Sequence, residues 1–349
     1  MGARHLHLYN ALYEASQDAG LVQGLWDGNT VAHRQPTIPA HQYQQSLELG
    51  EPAPPLTADS VRYWSDFNRV FFHPKSIVQL NEYELNSQIL PFENWAAGED
   101  LFRDIDKEVD ILDRDLRPFA EECDQISALQ IFTGADDAWG GFASSYIDNI
   151  RDEYGKVSLW TFGLEENQKD RPRRERLLRS ENAARTLHSI ASQSSAYIRI
   201  ANPAPIIPSY VHLLQTSDWY TSALTGMAIE SLTFPTRCRV RRSNIADFEA
   251  ILNVEGNQNI HELSAKVAIT GQNQLNDCQN GTIHRPSDSS HELDIRFAPE
   301  INDVTSPSHG QVRDFGQVLV SRGSQLEANG ANEGIKDSET VIERYSGTA

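Results

Sequence analysis

Cysteine is scarce in this 349-residue chain: Cys123, Cys238 and Cys278 stand far apart, odd in number, with no CxxC pair and no histidine cluster at ligand spacing. That argues against a disulfide framework and a zinc module, and predicts reduced thiols in an intracellular protein. Cys123 follows a helical apolar pattern and is expected in or near the core. Long apolar runs are also missing. Nothing approaches the roughly 18 to 20 consecutive apolar residues of a membrane-spanning helix, so any membrane contact is expected to be peripheral. Positive charge is in short supply: 30 Lys and Arg face 49 Asp and Glu, a net of -19. Such a field repels polyanions, and nucleic acid is not an expected partner. The opening Met-Gly-Ala-Arg-His-Leu-His-Leu reads neither as a secretory signal nor as a mitochondrial presequence, and Leu6 stands where a myristoylation motif needs Ser or Thr. Asn280-Gly281-Thr282 forms a glycosylation sequon that matters only in a secreted chain. No nucleophile elbow, Walker loop, HExxH, kinase signature or solenoid repeat occurs, which favours a non-enzyme.

What is present suits a globular protein. At 39% hydrophobic residues the chain can bury one large core or two ordinary ones. Residues 28 to 60, with Pro36, Pro39, Pro52, Pro54 and Pro55, read as a long surface loop. The aromatics Tyr63, Trp64, Phe67, Phe71, Phe72 and Tyr83 are expected to bury. Ile105, Val109, Leu112, Leu116 and Phe119 recur at spacings of four and three and predict one amphipathic helix, with Pro118 near its end. A buried strand over Ile126–Phe132, a turn at Thr133-Gly134, a helix from about Gly141 to Tyr154 and a strand over Val157–Phe162 follow. That succession is the unit of an α/β domain with a parallel sheet, whose ligand sites lie at the carboxyl ends of the strands. The charged run 165–181 reads as a solvated loop and helix start, with a phosphate or acidic-lipid patch as the sharper alternative. Asn182–Ala191 has helical character, a helix is predicted around 220–232, residues 270–312 read as an extended polar loop, and Phe315–Val320 as strand-like.

Asn94-Trp95-Ala96-Ala97-Gly98, the helix through Glu108–Arg114, and Ala120–Ile126 followed by a strand and a glycine turn resemble the middle of a tubulin nucleotide domain. Where tubulins carry a glycine-rich phosphate loop, this chain has Thr133-Gly134-Ala135-Asp136-Asp137-Ala138-Trp139-Gly140-Gly141-Phe142, followed by a helix ending Arg151-Asp152-Glu153-Tyr154. That variant resembles the Misato proteins, a eukaryotic tubulin-like branch. Asn10–Glu14, Tyr63–Phe67, His73–Ser76, Ala228–Pro235 and, more thinly, Val320–Gly323 agree. The resemblance implies a tubulin-like α/β nucleotide-domain fold, a parallel sheet flanked by helices, over 1–222 and a smaller α+β second domain over 223–349. Against the tubulin pattern, the first strand and helix are expected to be missing.

The resemblance also implies where a nucleotide would sit: Asn94, Gly98, Thr133, Gly134, Gly140, Gly141 and Asn182 are the candidate binding residues. A phosphate cradle needs small, uncharged residues that offer backbone N–H groups at a helix N-terminus. Asp136 and Asp137 would set two carboxylates beside the phosphates, a repulsion on the order of 1 kcal/mol per close pair even in high dielectric. Either the acidic pair caps the following helix, or magnesium bridges it to phosphate. Asn182 matches the tubulin asparagine that contacts guanine, and equally suits a helix-start cap. After Phe234-Pro235 the basic run Thr236–Arg242 replaces the tubulin activating loop. The expectation is therefore a non-catalytic tubulin-like protein without a resident cofactor, acting in mitochondrial partitioning, morphology and mitochondrial DNA inheritance. It is expected at the mitochondrial outer surface and in the cytoplasm, working through protein partners at mitochondria or the cytoskeleton. The alternatives are a GTP-binding, self-assembling tubulin-like GTPase and a metal-dependent hydrolase built on Asp136, Asp137 and His73.

Overall fold

A computed structural model describes residues 39–267, apart from short stretches within 71–90, 167–170 and 239–257, together with 294–299, 316–320 and 343–344. The chain divides into two compact units, residues 1–93 with 103–124 and residues 94–102 with 125–349.

In the first unit, helix α1 (Gln42–Leu49) interrupts the predicted surface loop. The His41 ring accepts from the Tyr43 N–H, and Gly50, at φ +70°, closes the other end. The Gln44 side-chain amide donates to the carbonyls of Ser65, Asp66 and Asn68, pinning the next turn to the helix. Asp66 is buried, and burial opposes its ionisation. The Arg62 guanidinium and the N–H groups of Arg62 and Tyr63 outweigh that and hold its carboxyl below the ordinary value. The aromatics bury less than expected: Tyr63, Trp64 and Phe67 are half-buried, Phe72 is exposed against the edge of Trp64, and Phe71 lies outside the described residues.

The single amphipathic helix predicted across Ile105–Phe119 is broken. Helix α2 (Trp95–Glu108) stops, a π turn covers Leu112–Leu116, and α3 (Arg117–Glu121) follows. Two aspartates compete with the helix for its backbone donors: Asp106 accepts from the Ile111 N–H and Asp110 from the Asp113 N–H. Pro118 removes the donor that would continue the ladder. The buried face is consequently Ile111 and Leu112, while Val109 is 40% exposed. Cys123, expected near the core, is exposed.

The second unit is built on four parallel strands in the order β1 (Ala128–Gly134), β2 (Ser158–Glu166), β3 (Ala196–Asn202), β4 (Ile260–Glu262). Helix α4 (Ala138–Glu153) connects β1 to β2, and α5 (Arg173–Gln193) connects β2 to β3. Helices α6 (Asp218–Thr233) and α7 (Ile245–Leu252) come before β4. β2 and β3 are buried almost throughout, as strands covered on both faces must be. Trp160 and Phe162 with Ile198 and Ile200 project to one face, onto Leu224 and Ala228 of α6 and Ile245 and Phe248 of α7. The alternate residues face the other way, where the Thr161 hydroxyl meets that of Ser194 just past α5. Arg151 ties the layers together at the lower end, donating to the carbonyls of Gln193, Gly155 and Val157.

The charged run, read as a solvated loop and helix start, holds the end of β2 at Glu166 and the start of α5 at Arg173, directly after Pro172, whose fixed φ suits a helix entry. Residue 222 falls inside α6, which belongs to the second unit. Of the polar stretch 270–312, residues 294–299 are described. Strand β6 (Ile295–Arg296) pairs antiparallel with β5 (Ser264–Ala265), and Ile295 and Phe297 are fully buried in the sheet's core. Strand β7 (Val318–Leu319) lies within the run read as strand-like and pairs with β8 (Glu343–Arg344).

Candidate functional site

The carboxyl ends of β1 and β2, with the N-termini of α4 and α5, form the place where a parallel α/β sheet offers a ligand site. Beyond Gly134 the chain keeps one more ladder bond, Ala135 N–H to Leu164 O at 2.8 Å, and then turns through Asp136 and Asp137 into α4. Asp137 is the N-cap: its extended backbone lets the carboxylate accept from the Trp139 N–H at 2.9 Å. A Cβ on Gly134 would lie 2.5 and 2.8 Å from the two oxygens of that carboxylate. The glycine of the predicted phosphate turn therefore makes room for the protein's own anion.

Asp136 turns elsewhere. Its Oδ2 accepts from the Glu166 N–H at 3.1 Å and from Arg179 Nη1 at 3.0 Å, in a position where the carboxyl is 3% exposed. Arg179 reaches Glu166 and Glu175 as well, and Arg171 pairs with the same two glutamates. Burial raises the pKa of both aspartates. Arg179 opposes the rise at Asp136, whereas Asp137 also feels the charge of Asp136 and is pushed up to about 6.

The other candidates gather at the junction of α2, α4 and α5, as packing residues. A Cβ on Gly98 would sit 1.7 Å from Ala138 O, and one on Gly141 would sit 1.9 Å from Trp95 O, so this pair lets the backbones of α2 and α4 touch. A Cβ on Gly140 would meet the Thr186 hydroxyl at 2.1 Å, and that hydroxyl donates to Ala135 O. The Thr133 hydroxyl bonds to the carbonyls of Gly134 and Trp139. Asn94 starts α2, its side-chain oxygen accepting from the Ala96 N–H. Asn182 is not at a helix start: it lies in the middle of α5 and is 1% exposed. Its amide spans two elements, accepting from the Trp95 N–H and donating to Asp136 O, each at 3.1 Å.

His73 lies outside the described residues, and the carboxylates of Asp136 and Asp137 serve different partners. Among the described residues no group of three His, Cys, Asp or Glu could hold a metal ion, and no helix is long and apolar enough to cross a membrane. Phe234–Arg237 forms a 3-10 turn in which Arg237 pairs with Glu230 of α6. A separate cleft of about 470 Å3 opens between α6 and the β1 side of the sheet, lined by Phe132, Leu164, Asn202 and Ile229. Glu166 and Thr186 are the residues that sequence reasoning missed, and Arg179 reads only as part of the charged run. The usable signal was the Arg171, Glu175, Arg179 series at four-residue spacing, which is a helix-face ion-pair pattern.

Comparison with known proteins agrees with this architecture. The tubulin domain family matches residues 53–238. The chain is 47% identical to protein dml1 of Aspergillus niger over 353 residues, covering 98% of this chain and 69% of that protein. It is 46% identical to protein DML1 of Coccidioides immitis, covering 94% and 64%, and 30% identical to protein dml1 of Schizosaccharomyces pombe, covering 80% and 65%. The chain thus spans about two thirds of the length of these relatives. A tubulin domain over the sheet, and identity of this extent to the DML1 proteins, show that the chain belongs to the tubulin-like Misato/DML1 family.

Proposed function

We propose that this chain is a non-catalytic tubulin-like protein that acts in mitochondrial partitioning, morphology and mitochondrial DNA inheritance, at the mitochondrial outer surface and in the cytoplasm. It works through protein partners at mitochondria or the cytoskeleton, without nucleic acid and without a resident nucleotide. Family membership supports the mitochondrial assignment. One observation carries the non-catalytic part: the carboxylate of Asp137, seated over Gly134 and bonded to the Trp139 N–H, fills the helix N-terminus at which a phosphate would bind. A phosphate entering there would meet two carboxylates and would have to displace a cap worth about 1 kcal/mol.

The test is depletion in the living cell, with a tagged copy imaged beside a mitochondrial marker. Mitochondria that fail to partition, rescued equally by the wild type and by a variant with Asp137→Ala, support a role that needs no nucleotide chemistry. Normal mitochondria after depletion, with the tag diffuse, would defeat the reading.

A further inference from the structure

Nearly every lysine and arginine side chain among the described residues has a partner, as expected where acids outnumber bases. The six without one are Arg69, Lys156 and Arg296, which are scattered, and Arg173, Arg174 and Arg176, which fall within four residues of α5. The three arginines of α5 are all exposed. The acid of that turn, Glu175, is taken by Arg171 and Arg179. Their placement does not serve the helix either, because cations in a first turn stand at the positive end of its dipole. Directly after them Leu177 is 60% exposed. Arg173 and Arg174 precede it by four and three residues and so share its side of the helix, while Arg176 flanks it.

We propose that this face of α5 docks an acidic segment of a protein partner, one that alternates carboxylates with apolar side chains. The cluster is arginine throughout, and the guanidinium fork matches a carboxylate with two parallel bonds, which lysine does not. Arginines around an exposed leucine also have the composition of a protein interface. A membrane of anionic lipid fits less well. Glu166 and Glu181, each more than half exposed, stand close to the patch, and a charged plane would meet them and the wider field of a chain of net charge -19. A short peptide meets less of that wider acidic field than a charged plane does.

The probe is a fluorescein-labelled peptide of repeated Glu-Glu-Leu, titrated with the full chain and followed by anisotropy. Its Gln-Gln-Leu counterpart is the control. Saturable binding of the acidic peptide is expected, weakened about tenfold or more by the triple change Arg173→Ser, Arg174→Ser, Arg176→Ser and by raised salt. Leu177→Ser should weaken it too, whereas Arg69→Ser and Lys156→Ser should not. Matching circular dichroism and urea midpoints establish that the variants are folded, and an arginine-to-lysine triple that recovers only part of the affinity supports the fork. Absence of saturable binding, equal binding by the triple serine variant, or equal binding of the Gln-Gln-Leu peptide overturns the proposal. So does co-sedimentation with phosphatidylserine vesicles, or self-association of the chain, that the triple variant abolishes while peptide binding is unaffected.

Discussion

Replacing Asp137 with asparagine keeps the shape and the helix cap and removes only the charge, so it isolates what that carboxylate costs the fold. Burial and the neighbouring Asp136 push the Asp137 carboxyl from 3.8 to about 6. At 1.36 kcal/mol per pH unit, the ionised form is disfavoured by about 3 kcal/mol in the folded state at neutral pH. The dipole of α4 works the other way by up to about 1 kcal/mol, leaving about 2 kcal/mol. Because the folded-state pKa lies above the unfolded one, this group's stabilising contribution is full below about pH 4 and is lost as pH rises through about 6. Asparagine caps about as well as aspartate. Asp137→Asn should therefore raise the unfolding free energy by about 2 kcal/mol at about pH 7.5, and by almost nothing at about pH 4. Urea titrations followed by tryptophan fluorescence at several pH values measure both. A variant less stable than the wild type at neutral pH, with equal stability in acid, would refute the reasoning, since the charge would then be holding the helix rather than straining it.

Three further outcomes follow from the same junction. Gly141→Ala should destabilise by about 3 kcal/mol or more in urea, at or beyond the upper end of ordinary overpacking, because its Cβ would lie 1.9 Å from a backbone carbonyl rather than a movable side chain. Asn182→Ala should cost about 2 to 4 kcal/mol, since the Trp95 N–H and Asp136 O lose their partner at a buried site. An asparagine kept only to read a base would show no such loss in the ligand-free protein. Arg179→Met should cost about 3 kcal/mol at neutral pH by leaving the buried Asp136 carboxylate without its cation. The same variant should recover part of that loss in acid, where Asp136 is protonated, a recovery that pH-dependent urea midpoints would detect.

The sheet was legible because its strands are short apolar runs between glycine turns and amphipathic helices, and their order alone dictates a parallel arrangement. Periodicity misled where backbone chemistry took over. Ile105 to Phe119 keeps a helical spacing, yet Asp106, Asp110 and Pro118 divert the backbone donors, and spacing counts carry no record of that. The charged run before Asn182 is solvent-facing at Arg173, Arg174 and Arg176, as its composition implies, but composition cannot tell those from Arg179, which pairs with the buried Asp136. Once α5 is seen to begin at Arg173, the run sorts itself into Arg171 and Arg179, paired through Glu175 at four-residue spacing, and unpaired Arg173, Arg174 and Arg176. The glycines were recognised as necessary, but their packing neighbours were not legible. A sequence shows that a residue without a side chain is wanted, whereas only coordinates show that at Gly134 the crowding atom is a carboxylate of the same chain and at Gly98 and Gly141 a helix backbone. Residues 294–299 failed for a related reason: two buried side chains, Ile295 and Phe297, are too few to stand out from a polar stretch.

Equilibrium dialysis of the chain against labelled GTP with magnesium tests the central claim most directly, namely that the Asp137 carboxylate occupies the anion seat at the start of α4. No saturable binding is predicted up to about 1 mM nucleotide, a ceiling on affinity of about -4 kcal/mol. Stoichiometric binding at micromolar GTP, lost when Asp136 and Asp137 are changed to alanine together, would contradict it and would assign those carboxylates to a magnesium nucleotide site instead.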